Sequence, residues 1–194
     1  MKSLDNIINE FSKLPGIGRK SAARIAFYIL DMENEELERF SSILKEAKQK
    51  IKKCKICGNL TEEDTCEICS DEERDRKIIC IVKDPRDIIA FEKSKTFNGL
   101  YHVLGGIIDP LNGVTVDDLD IGKLEKRLTS DIKEVILALD PSLEGETTSL
   151  YLSRIIKDKN IKVSRIASGI PMGGNIEFSD IATLSRSLEG RKEI

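Results

Sequence analysis

Apolar residues in the first 51 positions recur at spacings of three and four, the spacing of helices with one buried face. They predict a helix over 3–13, a second helix after residue 18, and a third with Asn34 as its N-cap. Pro15-Gly16-Ile17-Gly18 must break the first helix, so an all-helical N-terminal part with a tight turn is expected. The apolar positions of the three helices are Leu4, Ile7, Ile8 and Phe11; Ala22, Ile25, Ala26, Ile29 and Leu30; and Leu37, Phe40, Leu44, Ala47 and Ile51.

The pattern changes after a charged linker that follows residue 69. Short, largely apolar runs of the kind found in buried strands occur at 78–82, 100–104, 134–139 and 161–167. Helical stripes separate them or follow them, at 85–94, 119–130, 144–158 and 178–188, with a glycine-rich loop over 169–174. Strands that alternate with helices predict a parallel sheet covered on both faces, and hence the α/β class.

Composition narrows the function classes. The chain has 194 residues, of which 40% are hydrophobic and 34% charged, as in a soluble globular protein. No run of about 18 apolar residues occurs, which excludes a membrane span, and the N-terminus lacks the pattern of a secretion signal, so a cytoplasmic location is expected. The formal net charge of −3 excludes a globally basic nucleic-acid coat, so phosphate binding would depend on local patches.

One such patch is the hairpin segment, residues 13–24, which reads KLPGIGRKSAAR. Its glycines permit positive φ and close backbone approach, and its amides and helix N-terminus would attract anions. Lys20 and Arg24 lie four apart on one helix face, where they can flank a phosphate. The alternative is an ordinary helical hairpin with solvated cations. We favour sequence-independent binding of a DNA backbone, through Gly16, Gly18, Arg19, Lys20 and Arg24.

Four of the five cysteines form the pattern C-x2-C-x8-C-x2-C. Four thiolates suit one tetrahedral structural zinc ion, and such a closed site leaves no coordination position for catalysis. A redox dithiol pair and plain buried thiols are the alternatives. Cys80, inside a predicted strand, is interpreted as a small buried hydrophobe. The predicted zinc ligands are Cys54, Cys57, Cys66 and Cys69.

Residues 136–147, ILALDPSLEGET, place Asp140, Glu144 and Glu146 after the carboxyl end of a predicted strand. Ligand sites of open α/β sheets lie at that end, and clustered carboxylates suit magnesium. Capping of the following helix is an equally good interpretation, because acids in a first turn oppose the helix dipole favourably. His102, the single histidine, alternates within a strand and is interpreted as structural.

Over essentially its whole length the sequence resembles the RecR family of bacterial recombination mediators. The matching segments, in the family's order, are LPGIGRKSAAR, the four-cysteine cluster, IVKDPRDIIAFE, YHVLGG, ILALDPSLEGET and RIASGIPMGGNIEFSDIATLSRSLEGR. The resemblance implies a helix-hairpin-helix domain over 1–53 and a zinc finger with linker over 54–77. It further implies a Toprim domain, the fold of primases and type IA topoisomerases, over 78–167, and a C-terminal loop and helix with subunit contacts over 168–194.

The resemblance also implies a function in recombinational DNA repair. RecR-like proteins are non-catalytic clamps on single- and double-stranded DNA, dimers or tetrameric rings, that help RecO and RecF load RecA on gapped DNA covered by single-strand-binding protein. Glu144 and Glu146 would bind a partner such as RecO.

The chain departs from the Toprim enzymes at two positions. Those enzymes have a glutamate where this chain has Lys83, and an Asp-x-Asp pair where it reads Asp140-Pro141-Ser142. A small magnesium-dependent Toprim nuclease or phosphotransferase is therefore the less favoured alternative, and we expect no enzyme activity.

Overall fold

The computed structural model describes residues 1–191, and the chain divides into two compact units. The helical unit, Met1–Ile51, contains α1 (Lys2–Ser12), α2 (Arg19–Leu30) and α3 (Asn34–Lys50). The first two helices pack through small and branched apolar side chains, with Ala22 and Ala26 fully buried against Ile8. The predicted hairpin of two helices is confirmed.

The third helix differs from its prediction in two respects. Glu33, and not Asn34, is the N-cap residue of α3, and its side chain makes no capping hydrogen bond. No residue of α3 is buried, and Phe40 and Leu44 of the predicted apolar stripe are 41% and 56% exposed. The periodicity is that of a helix with a buried face, but the other elements of the helical unit leave most of this face exposed.

The α/β unit starts at Lys52 with a small zinc knuckle, residues 54–69, and the short elements around it. The strands β1 (Lys52–Lys53) and β2 (Leu60–Thr61) pair antiparallel, and α4 (Glu67–Ser70) begins between the last two cysteines. The periodicity of the sequence did not indicate this hairpin, because each of its strands has only two residues.

The main sheet is parallel, as predicted from the alternation of strands and helices, and its four strands lie in the order β4-β3-β5-β6. Its strands are β3 (Asp75–Val82), β4 (Gly99–Val103), β5 (Glu134–Ala138) and β6 (Lys162–Arg165). The intervening helices are α5 (Pro85–Ser94), α6 (Ile121–Arg127) and α7 (Leu143–Lys157). β3 begins earlier than the predicted strand, so Asp75 and Arg76 of the expected linker belong to the sheet.

Both faces of the sheet are covered. Successive side chains of β3 point to opposite faces, and each face packs into its own core. Ile79 and Ile81 pack with residues of α6 and α7, such as Leu124 and Leu152. Cys80 and Val82 enter a second core, which confirms the prediction that Cys80 is a buried hydrophobe. The residues of this second core are Cys80, Val82, Ile88, Tyr101, Val103 and Ala138.

The C-terminal segment contains a 3-10 turn, Ile176–Phe178, and α8 (Ile181–Glu189). Asp180 caps α8 by accepting a hydrogen bond from the Thr183 amide at 2.9 Å. Residues 192–194 of the expected C-terminal segment lie outside the described residues. Among the residues that are described, no helix combines the length and apolar character needed to cross a membrane.

Candidate nucleic-acid interface and metal centre

The turn of the hairpin segment depends on one glycine in the left-handed region. Gly16 has φ +79°, and the Ile17 amide donates to the Leu14 carbonyl at 3.1 Å. Gly18 is different, because it is the N-cap of α2 with an extended backbone, φ −76° and ψ 163°. Positive φ, which both glycines permit, is therefore adopted by Gly16 and not by Gly18. A Cβ added at either residue would meet nothing within 4 Å, so the surface beside both is open.

The N-terminus of α2 presents uncompensated positive charge. The helix has no side-chain cap and no acid in its first turn, and within residues 1–191 no protein acceptor takes the amides of Gly18, Arg19 and Lys20. Arg19, Lys20 and Arg24 are exposed, and none of them forms an ion pair with another described residue. Lys13, in contrast, is paired with Glu10 at 2.6 Å. Amides and cations at one helix end that have no partner among the described residues are features that attract anions.

The zinc knuckle brings its four cysteines together as predicted. Their sulfur atoms lie within 4.8 Å of one another, and all four residues are buried. Two amides point at sulfur, from Asn59 to Cys57 Sγ at 3.4 Å and from Cys66 to Cys54 Sγ at 3.3 Å. Such donors stabilise thiolates, so the donor set fits one tetrahedral zinc ion.

Hydrogen bonds between sulfur atoms of the knuckle shift the pKa values of Cys57 and Cys66 in opposite directions. The hydrogen bond between Cys57 and Cys66, with sulfur atoms 3.5 Å apart, lowers the pKa of Cys66 and raises that of Cys57. One thiolate is thus stabilised by the S–H groups of its neighbours before any metal is considered.

The knuckle is attached to the sheet through Gly58 and Val103. The Val103 amide donates to the Cys57 carbonyl at 2.7 Å. Gly58 has φ +79°, and a Cβ there would lie 3.2 Å from Val103 Cβ and 3.3 Å from its carbonyl oxygen. Glycine is therefore required both by the backbone conformation and by the close approach.

The acidic loop, residues 140–146, follows β5 at the carboxyl edge of the sheet. Lys83 follows β3, and its Nζ lies 3.0 Å from Asp140 Oδ2. Ser142, the residue in place of the second aspartate of Toprim enzymes, is the N-cap of α7 and accepts from the Gly145 amide at 3.1 Å. The position where a divalent cation would need carboxylates thus holds an ammonium and a capping hydroxyl.

The two glutamates of the acidic loop have different environments. Glu146 forms ion pairs with Arg165 of β6 and with Arg186 of α8, the latter at 3.2 Å. Glu144 is half-buried and has no ion-pair partner in the described part of the chain. The predicted acids are therefore not brought together, and in residues 1–191 the four cysteines are the only group of acidic, cysteine or histidine side chains close enough to share a metal ion.

Comparison with protein families covers nearly all of the chain. A model described as RecR, helix-hairpin-helix matches residues 4–48, and a model of the RecR four-cysteine zinc finger domain matches residues 51–71. A Toprim domain matches residues 77–167, and a model described as RecR, C-terminal matches residues 169–192. The chain belongs to the RecR family.

Membership of the RecR family gives the zinc knuckle its assignment. The match to the family's zinc finger and the four clustered sulfurs together identify one structural zinc site formed by Cys54, Cys57, Cys66 and Cys69. The family's domains also support a role for this protein as a DNA-binding recombination mediator.

Two arginines that contact the acidic loop, Arg165 and Arg186, were not indicated by the sequence. Arg165 and Arg186 line a cavity of about 430 Å³ beside the acidic loop, together with Asp140 and Glu146. No local pattern marks these arginines, because they come from β6 and α8 and meet Glu146 only in the fold.

His102 is structural, as expected. It is fully buried, its Nε2 lies 3.0 Å from the Asp120 carbonyl oxygen, and burial lowers its pKa to about 4.

Proposed function

We propose that this RecR-family protein binds the DNA backbone, single- or double-stranded, through its hairpin segment and acts in the cytoplasm as a non-catalytic recombination mediator. In this proposal it works with RecO and RecF to load RecA on gapped DNA covered by single-strand-binding protein. The observation that carries the proposal is the set of cations and amides at the start of α2 that have no partner among the described residues. Phosphate contacts of this kind hold a nucleic acid without reading its sequence.

The non-catalytic part of the proposal is supported by the Lys83–Asp140 pair. An ammonium 3.0 Å from the Asp140 carboxylate supplies the positive charge that a divalent cation would otherwise bring. A magnesium ion beside Asp140 would have to displace this pair and would find a hydroxyl at Ser142. A magnesium-dependent cleavage assay with the wild-type protein tests this part, and robust cleavage would contradict it.

The DNA-binding part is tested by charge reversal of Lys20 and Arg24. If two hairpins engage, roughly four phosphates are neutralised, and the log–log salt dependence on duplex DNA should have a slope of about −3 to −4. Lys20→Glu with Arg24→Glu should abolish binding and leave helical content unchanged, because both side chains are exposed and unpaired.

The matched control for this experiment is Arg154→Glu with Lys157→Glu. These residues are also an exposed arginine and lysine on one helix, α7, and lie outside the hairpin segment. The total charge changes equally in both double variants, so the comparison isolates the position of the cations. The control should keep its DNA affinity, because its two residues lie outside the hairpin segment. Equal binding by wild type and the Lys20/Arg24 variant would overturn the hairpin as the DNA site.

For RecO docking, Glu144 is a better probe than Glu146. Reversal of Glu146 would release Arg165 and Arg186 and loosen α8, whereas Glu144 has no ion pair to lose within the described residues. Glu144→Lys should weaken RecO binding, because reversal of an interface charge slows association, and leave DNA binding equal or slightly stronger. Asp131→Lys, an exposed acid in the loop before β5, is the control. Unchanged RecO binding by Glu144→Lys would refute the docking role.

The proposal includes a homo-oligomer, either a dimer or a tetrameric ring. Exposed apolar side chains on the helical unit and on the C-terminal segment support it, since large exposed apolar patches are typical of contact surfaces. A mass measurement in solution, with and without DNA, tests this part, and a monomer under both conditions would contradict it. The exposed residues include Phe27, Tyr28, Phe40, Leu44, Ile176, Phe178 and Ile181.

A further inference from the structure

Arg127, the last residue of α6, points its guanidinium at β4, the strand to which the zinc knuckle is hydrogen-bonded. Its Nη1 donates to the Tyr101 carbonyl at 2.6 Å and lies 3.2 Å from His102 Nδ1. Both of these residues belong to β4, and the next residue of that strand, Val103, donates its amide to the Cys57 carbonyl. Arg127 is thus linked to a cysteine ligand through three consecutive residues of one strand.

No carboxylate in residues 1–191 forms an ion pair with Arg127. The contrast is Arg74, which is also largely buried, at 13% exposure, but pairs with the carboxylates of Asp71 and Glu92. His102 supplies no counter-charge, because an imidazole is either neutral or positive; burial keeps this one neutral, and its Nδ1 acts as an acceptor. A guanidinium stays charged when it is buried, and its burial costs free energy unless an anion lies nearby. Arg127 therefore requires a source of negative charge other than a carboxylate.

The zinc site can supply that charge. Four thiolates around one Zn²⁺ carry a net negative charge, and this centre is itself buried. Burial lowers the pKa of Arg127, and the four cysteines act in the opposite direction, with Cys69 contributing most. Two nearby lysines, Lys52 and Lys55, are less available, since both pair with Asp64, at 2.9 Å and 2.6 Å.

We propose that Arg127 is the buried counter-cation of the zinc–thiolate centre, a positioning residue that acts on the metal through its charge. When zinc is bound, the negative centre stabilises the buried guanidinium, and the guanidinium in turn stabilises the negatively charged centre. Because such coupling is reciprocal, zinc occupancy also stabilises the packing of α6 against β4. The zinc knuckle and the parallel sheet thereby share one electrostatic interaction.

The test measures metal affinity and not a biological activity. The apo form of the full chain is titrated with Co²⁺, whose thiolate charge-transfer absorption reports binding, and Zn²⁺ then competes. Arg127→Gln keeps an N–H donor for the Tyr101 carbonyl and removes the charge, whereas Arg127→Lys keeps the charge. Loss of a partner outside the ligand shell typically costs about 10–100-fold in metal affinity. We expect a loss in that range for Arg127→Gln and a clearly smaller loss for Arg127→Lys.

Arg74→Gln is the matched control, because it removes a buried guanidinium that has its own carboxylate partners. It should lower thermal stability and leave the Zn²⁺ affinity unchanged. Equal affinities for Arg127→Gln and wild type, or equal losses for the Gln and Lys variants, would overturn the proposal. If Arg127→Gln fails to fold, excess Zn²⁺ should restore folding, since weakened binding can be saturated. Failure at every Zn²⁺ concentration would assign Arg127 a packing role and reject the charge role.

Discussion

The first turn of α7 packs closely against the backbone of Asp140 at Gly145, a position where only glycine fits. Gly145 is buried in the first turn of α7, and a Cβ at this position would lie 2.0 Å from the Asp140 carbonyl oxygen and 3.1 Å from its carbonyl carbon. Real Cβ atoms do not approach that closely, and both contacted atoms are backbone, so no rotamer change relieves the overlap. In Gly145→Ala either the first turn of α7 or the Asp140 loop has to move.

The cost follows from two opposing effects. Overpacking of a well-packed site typically costs about 1–3 kcal/mol, and a backbone contact places this clash near the upper end. Alanine has a better helix propensity than glycine by about 1 kcal/mol, which offsets part of that cost. We therefore expect Gly145→Ala to lower the free energy of unfolding by about 1–2 kcal/mol.

Gly122→Ala is the matched control. Gly122 also lies in the first turn of a helix, α6, but a Cβ there would meet nothing within 4 Å. This variant should be more stable than wild type by about 0.5–1 kcal/mol, because alanine reduces the entropy of the unfolded chain.

The two glycine variants are compared by thermal unfolding followed by circular dichroism, with zinc present throughout. A change of 1 kcal/mol shifts Tm by about 2–4 °C in a protein of this size. The same chemical change should thus move Tm in opposite directions at the two positions. A Gly145→Ala protein as stable as wild type would refute the close approach of α7 to Asp140.

Two further predictions concern the zinc knuckle and acid stability. Elemental analysis should find one zinc per chain. Cys57→Ala should lower folding stability more than it lowers DNA affinity. A metal-free protein as stable as the zinc-bound form would contradict this prediction. Hydrogen bonds from Arg74 and from Tyr101 Oη, the latter at 2.7 Å, lower the pKa of Glu92 below its ordinary value of 4.5. The stability difference between wild type and Glu92→Gln should therefore be complete above pH 4.5 and shrink as the pH falls, and a pH-independent difference in urea unfolding would be inconsistent with it.

The elements that sequence reasoning predicted well are those whose residues interact locally or alternate regularly. Ile79 and Ile81 face one core, and Cys80 and Val82 the other, so the apolar run of β3 indicated a strand buried on both faces. Cysteine spacing alone indicated the metal site, because its ligands come from one short segment.

Other features depend on contacts between residues that are distant in the sequence, and no local sequence pattern indicates such contacts. The apolar stripe of α3 indicates a helix correctly but does not say what covers it. Both glycines of the turn permit positive φ, yet only Gly16 adopts it, and Gly18 occupies the N-cap position of α2 with an extended backbone. Arg127 gave no signal, because its partners in β4 precede it by a long stretch of chain and its counter-charge is a group of four cysteines.

The acidic loop illustrates how sheet register decides the chemistry of a site. Val82 and Ala138 are paired in the parallel register of β3 and β5, so the residues that follow them leave the sheet at the same edge. This pairing brings Lys83 to Asp140, while β6 and α8 bring Arg165 and Arg186 to Glu146. Two of the three acids are thereby neutralised by cations of the same chain, whereas the cations at the start of α2 have no such partners among the described residues. A net charge of −3 thus conceals an uneven distribution, with unpaired cations in the hairpin segment of the described chain and an acidic loop that is largely compensated from within.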